Sequence, residues 1–272
     1  KVLDEYTMKH ISKVILVLLC ILLSYPFYGM AQNIKSFDFK GNFFYNTITS
    51  IEQHTLGFMW LGLDNGVFLF DGYSFQPLIH SMISDRYVNF LSHRKTTLYI
   101  GTNEGLYAYN YINNQCDLCS PLLKSKNIIA YQCNSDYQVV ATDREVFLFD
   151  YNWNFIHKIT IYKESLNNHI TSMVIYGNQE ALLGTESGLV IIHIENDGKT
   201  KSNTLYSGDK IVQLFIDSRN KLWICRGEEI LYSNIDTLDS VGISGFKHIA
   251  YNHEVISFFE YANQVWVGTR GY

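Results

Sequence analysis

Two cysteines three apart, Cys116 and Cys119, form the plainest chemical pattern in the chain. A C-x-x-C pair can chelate a soft metal or shuttle a disulfide, because both thiolates reach one centre. Metal binding needs a second pair or a partnering histidine, and exchange chemistry of the thioredoxin kind needs a helix behind the pair. The surrounding sequence supplies neither. Ordinary loop cysteines are the expected reading, with a local disulfide or a metal or redox role as alternatives. His248 and His253 are five apart around an expected strand or loop, a poor start for a metal site. The chain has no H-E-x-x-H, G-x-S-x-G, P-loop or calcium-loop spacing. Carboxylate pairs for glycoside hydrolysis meet only in space, and the acidic residues here sit mostly in turns. The expectation is a chain with no catalytic residue, metal or cofactor of its own, hence not an enzyme.

Recognition is the better-founded expectation, and a repeat says where it would lie. The pattern apolar–Trp–apolar–Gly–Thr, a turn, then Gly–Leu–aromatic recurs six times. The best copies are Leu98-Tyr99-Ile100-Gly101-Thr102-Asn103-Glu104-Gly105-Leu106-Tyr107 and Val265-Trp266-Val267-Gly268-Thr269. The aromatic slot falls at Trp60, Tyr99, Val139, Leu182, Trp223 and Trp266, in steps of 39, 40, 43, 41 and 43 residues. A period of about forty in a β-rich chain signals a propeller, whose blades must bury their faces on their neighbours. Each repeat reads as an alternating strand (Ile48 to Gln53), a mostly apolar strand (Phe58 to Leu63), an Asn65-Gly66 hairpin, a third strand and an outer fourth. Trp60, Trp223 and Trp266 are expected to pack between blades, and Gly62, Gly101, Gly184 and Gly268 to admit a close neighbour. The predicted fold class is all-β, a β-propeller of four-stranded antiparallel blades. About 5.5 blades of seven are expected, with truncation at the C-terminus.

In that fold, the loops between second and third strands and those linking successive blades share one face. Candidate binding residues there are Arg86, Tyr87, Asn103, Arg144, Glu186, Arg226 and Arg270. Turn chemistry explains Asn65, Glu104 and Ser187. It demands Arg144, Arg226 and Arg270 less, and sugar recognition would set such planar polar groups beside an aromatic platform, for which Tyr87 is a candidate.

The N-terminus adds a location. A basic Met8-Lys9-His10-Ile11-Ser12-Lys13 precedes an apolar run of ten residues, Val14 to Leu23, and small residues at Gly29 and Ala31. This is the pattern of a secretory signal peptide, too short to span a bilayer; an uncleaved anchor is its rival. Residues 1–31 are therefore read as the signal region, starting at Met8, and 32–272 as an incomplete propeller. A net charge of −5 without a basic run outside the first residues speaks against nucleic acid as a partner.

Phe58-Met59-Trp60-Leu61-Gly62-Leu63-Asp64-Asn65-Gly66-Val67-Phe68-Leu69-Phe70-Asp71-Gly72 resembles the two-component regulator propeller repeat. His54 stands where that repeat has Asp, and Leu63 where it has Thr. Repeats three and four lack the Trp, and repeat five has Cys225-Arg226 for Gly-Thr. The resemblance implies the periplasmic sensor region of a Bacteroidetes hybrid histidine kinase, part of an inner-membrane receptor. It implies glycan-derived ligands, a small molecule or oligosaccharide, and a homodimer in the full-length protein. Membrane attachment and kinase activity would lie in a C-terminal part not contained in these 272 residues. The alternatives are a secreted propeller enzyme acting on polysaccharide and an envelope protein-interaction scaffold.

Overall fold

Six antiparallel sheets follow one another along the chain, each in simple meander order. Blade 1 comprises β1 (Ile48–Gln53), β2 (Met59–Leu63), β3 (Gly66–Phe70) and β4 (Phe75–Pro77). Blade 2 comprises β5 (Val88–Arg94), β6 (Thr97–Thr102), β7 (Gly105–Asn110) and β8 (Gln115–Leu118). Blade 3 comprises β9 (Ile128–Cys133), β10 (Tyr137–Thr142), β11 (Glu145–Asp150) and β12 (Phe155–Thr160). Blade 4 comprises β13 (Ile170–Tyr176), β14 (Glu180–Thr185), β15 (Gly188–Ile194) and β16 (Thr200–Ser207). Blade 5 comprises β17 (Gln213–Ile216), β18 (Lys221–Arg226), β19 (Glu229–Asn234) and β20 (Lys247–Ala250). β21 (Glu254–Tyr261) and β22 (Gln264–Arg270) pair as a sixth sheet. The chain is an all-β propeller of four-stranded blades. This computed structural model describes residues 47–54, 56–161, 169–177, 179–195, 199–238, 243–250, 253–261 and 263–270. They belong to the unit Gly41–Tyr272. The signal region and the expected strand Ile34–Phe39 lie outside them.

The core is divided among the seams between blades. Trp60 and Val67 of blade 1 pack on Val88, Leu98, Ile100 and Tyr109 of blade 2. Leu182 and Ile191 of blade 4 pack in the same way on Ile211, Leu222 and Ile224 of blade 5. Four-stranded sheets this narrow cannot bury both faces alone, so every blade depends on the next. Gly62 and Gly184 make that approach possible. A Cβ on Gly62 would come within 2.6 Å of Val88 Cγ1, and one on Gly184 within 2.8 Å of Ile211 Cγ2. At the same slot of blade 5, Cys225 is buried, and its thiol donates to Val255 O of the next sheet at 2.8 Å.

A bulge recurs near the start of the inner strands. The register slips between Ile48 and Ser50, Val88 and Phe90, Ile170 and Ser172, and Val255 and Ser257. A bulged residue leaves the ladder, which frees it to bond elsewhere. Thr49 Oγ1 donates to Val88 O, Asn89 Nδ2 to Ile128 O at 2.8 Å, and Thr171 Oγ1 to Ile211 O. Each acceptor begins the next blade's inner region. These side chains fasten one blade to the next about one repeat downstream.

Three expectations need correction. Cys116 is not in a loop but buried in β8, and Cys116 and Cys119 are free thiols, not a disulfide. Burial pushes the Cys116 thiol up to about 12, so it packs as an apolar group. Trp266 is 50% exposed, against 4% for Trp60. Trp60 is covered by blade 2, whereas no further sheet follows β22 among the described residues. Trp223 is half-buried rather than sealed.

Candidate functional site

The backbone confirms that one face carries both expected sets of loops. Asn103 N donates to Tyr87 O at 3.1 Å, Ser125 N to Glu104 O at 2.9 Å, and Ile161 N to Arg144 O at 3.0 Å. Ile170 N bonds Asp143 O at 2.8 Å, and Gly208 N bonds Ser187 O at 3.0 Å. The hairpins of blades 2 and 4 are tied to the links on either side, the latter also through Glu186 N and His169 O at 2.9 Å, and the blade-3 hairpin to the link that follows it.

In blades 2, 3 and 4 the threonine that ends strand 2 stiffens the hairpin from within. Thr142 Oγ1 donates to Glu145 O at 3.1 Å and accepts from Arg144 N and Glu145 N at 3.3 and 2.9 Å. Thr102 does the same with Gly105 O and Glu104 N, and Thr185 with Gly188 O and Ser187 N. A buried hydroxyl with both donor and acceptor roles filled locks a turn. The recurring threonine of the repeat is the signal in the sequence for this lock.

The seven candidate residues separate into engaged and available groups. Arg86 is engaged: its guanidinium lies 5.3 Å over the Tyr107 ring, and it bonds Glu104 and Met82 O. Arg226 repeats the arrangement in blade 5. It lies 5.6 Å over Tyr206, donates to Tyr206 Oη at 2.8 Å and pairs with Glu229 at 2.6 Å. Pairing with Glu229 holds the Arg226 guanidinium above its ordinary range. Both arginines cap the ends of blades, with cation–π contact and ion pairing filling the guanidinium. Glu186 is held by Lys210 at 2.9 Å. Arg270 pairs with Glu254 at 3.0 Å on the sixth sheet. Tyr87 is partly exposed, its carbonyl taken by Asn103.

Asn103 and Arg144 are brought together. They line one cleft of about 440 Å3 with Lys126, Asn127, Asp143 and Glu145, between the blade-2 and blade-3 hairpins. The Arg144 side chain is 64% exposed, and its nearest carboxylate oxygen, Asp143 Oδ2, is 3.8 Å from Nε. Glu145 is fully occupied. Lys126 reaches Oε2 at 2.6 Å and Lys158 reaches Oε1 at 2.7 Å, and both ammonium groups lie over the Phe147 ring. Burial works against the Glu145 anion, but the two lysines hold its carboxyl below the ordinary range. Lys126 and Lys158 were not singled out from sequence. They come from a blade-to-blade link and an outer strand, where no repeat slot marks them.

Clefts on the opposite face are different in kind. One of about 850 Å3 lies between the strand-1–strand-2 turns of blades 3 and 4 and is lined by Asp136, Tyr137, Glu180, His193 and Glu195. Its lining carries three carboxylates and no lysine or arginine; His193 Nδ1 lies 3.0 Å from Glu180 Oε1, and Lys201 Nζ 2.5 Å from Glu195 Oε1. Among the described residues no group of three or more His, Cys, Asp or Glu is placed to hold a metal ion. No helix among them is long and apolar enough to cross a membrane.

No protein-family model matches the chain, and no curated protein does. Its fold is similar to that of the extracellular domain of the proposed hybrid two-component system BT3049 from B. thetaiotaomicron, with TM-score 0.62 at 19% identity over 82% of this chain. The corresponding domain of BT4673 from the same organism superposes with TM-score 0.63 at 18% identity, also over 82%. The computationally designed protein Ika8 gives TM-score 0.57 at 14% identity over 82% of this chain and 68% of its own. The chain spans 32% and 31% of the length of the two B. thetaiotaomicron domains. At identities this low the superpositions show the fold alone.

Proposed function

We propose that this propeller is an exported ligand-sensing domain of a hybrid two-component receptor, working in the periplasm and recognising glycan-derived ligands. The observation that carries the reading is the forty-residue repeat, which resembles the two-component regulator propeller repeat and folds into blades like those of two such receptors' extracellular domains. The signal-peptide pattern at Met8 to Ala31 supports export. In this reading the domain itself is not catalytic and needs no cofactor. Its ligand is a small molecule or oligosaccharide, the receptor is a homodimer, and the kinase sits beyond a membrane segment elsewhere in the protein. Stiff hairpins with polar tips suit binding, because loops on a rigid scaffold lose little entropy when a ligand arrives.

The test is reconstitution of the full-length receptor in liposomes with a pool of oligosaccharides from digested polysaccharides. The expected result is a change in autophosphorylation with the pool and none with buffer. Turnover of the glycans by the purified protein, or a full-length gene product with no kinase, would overturn the reading.

A further inference from the structure

We propose that the cleft between the blade-2 and blade-3 hairpins binds the carboxylate of an acidic sugar, with Arg144 as its receiving group. This rests on the sensor reading above and names the ligand class for it. Charge is the first reason. The charges lining the cleft balance, Lys126 and Arg144 against Asp143 and Glu145, and Lys158, which reaches Glu145 from outside the lining, brings one positive charge in excess to a chain whose net charge is −5. The two lysines saturate Glu145, one on each oxygen. Asp143 is shared between Arg144 at 3.8 Å and His169 Nδ1 at 3.6 Å. By these pairings the surplus positive charge lies with the two lysines on Glu145, next to Arg144, whose own pairing with Asp143 is long.

Geometry is the second reason. A guanidinium offers five donors in a fixed fork, matched to a carboxylate. The forks of Arg86 and Arg226 are occupied by Glu104 and Glu229, whereas among the described residues that of Arg144 has one long contact. Its backbone does not share that freedom. Arg144 N is held by Thr142 Oγ1, and Arg144 O by Ile161 N. A fixed backbone under an unfilled fork is a preorganised receptor.

Asn103 supplies the third reason. It projects from the neighbouring hairpin, its backbone N–H held by Tyr87 O. Its exposed amide carries both a donor and an acceptor, suited to a sugar hydroxyl. The cleft volume falls in the ordinary range for small ligands.

Calorimetric titration of the full chain with digalacturonic acid, and with its uncharged counterpart galactobiose, tests this. The expected result is binding of the acid at least about tenfold tighter than of galactobiose, weakened by added salt. Arg144→Gln should lower affinity for the acid by about tenfold or more, and Arg144→Lys by less, since a point charge lacks the fork. Lys201→Gln, beside the opposite cleft, should change nothing. Because Arg144 is exposed, each variant should melt with the wild type. Equal affinity of Arg144→Gln and wild type for the acid overturns the inference, as does binding of galactobiose alone or of neither sugar. In those cases a response of the reconstituted receptor to the glycan pool would leave the sensor reading standing. Arg144-dependent binding without any change in phosphorylation would instead keep the cleft and remove the sensor.

Discussion

Blades 1 and 5 solve one packing problem in two ways. Both place a tryptophan in strand 2 and a polar residue six positions earlier, in the turn before it. In blade 5 that residue is Asp217. Its carboxylate accepts from Trp223 Nε1 at 3.0 Å, Arg219 N at 2.9 Å, Lys221 N at 3.0 Å and Arg219 Nη2 at 3.2 Å. Burial disfavours the anion, but these donors outweigh it and hold the carboxyl below its ordinary range. In blade 1 the residue is His54. Among the described residues it accepts from Leu56 N, at 3.0 Å, through Nδ1. Its ring lies 4.5 Å from Tyr111 and 5.9 Å from Trp60, and is stacked 6.1 Å from His93. Trp60 Nε1 is buried without a hydrogen-bond partner. The tryptophan slot is therefore defined by packing. The carboxylate clasp is an addition that one blade has and the other replaces with rings.

Removing the clasp should be the costliest single change. Asp217→Ala leaves the Trp223 indole and two turn N–H groups without their acceptor, and should cost about 3 kcal/mol in urea unfolding. His54→Ala should cost about half as much, since it removes ring contacts and one acceptor. Equal losses would erase the distinction between the two blades.

Transplanting the clasp sharpens the contrast. The double variant His54→Asp/Leu56→Arg reproduces the Asp217–Arg219 pair and offers Trp60 Nε1 an acceptor. It should raise stability by about 1 kcal/mol. A clear loss would show that blade 1 depends on its aromatic stack with Tyr111 and His93.

The two blades should also differ in acid. Burial, then the proximity of His93, depresses His54 below the ordinary histidine value. The unfolded chain then takes up a proton that the folded one refuses. His54 thus contributes stability above about pH 6.5, and this is lost as pH falls through that value toward its folded one. Asp217 contributes above the ordinary aspartate range, and its share disappears only as pH falls below about 4. Stability measured against pH for wild type and His54→Gln should diverge between neutral and mildly acidic pH. For Asp217→Asn the divergence should close only in strong acid. Parallel curves for His54→Gln would contradict the assignment.

How much of this was readable from sequence follows from which residues are covered. The inner three strands of each blade carry apolar or alternating runs, because both faces meet a neighbouring blade, and their positions were legible within a few residues. The outer strands β8, β12, β16 and β20 were not individually legible. Segments such as Thr200–Ser207 and Lys247–Ala250 face solvent on most of their length, so little apolar signal marks them. The candidate face was legible from topology, and Asn103 and Arg144 were named on it. That Arg86 and Arg226 are consumed by their own tyrosines and glutamates was not, because Tyr206 is 20 residues from Arg226. Such pairs exist only once the blades are assembled.

The central claim is that recognition belongs to the hairpin face. Amide hydrogen exchange of the full chain, with and without digalacturonic acid at saturation, tests it most directly. The account predicts slowed exchange confined to the segments around 103–104, 125–127 and 142–145, with the turns at 134–137 and 176–180 unchanged. Protection concentrated on those opposite turns, with the hairpins unaffected, would contradict it.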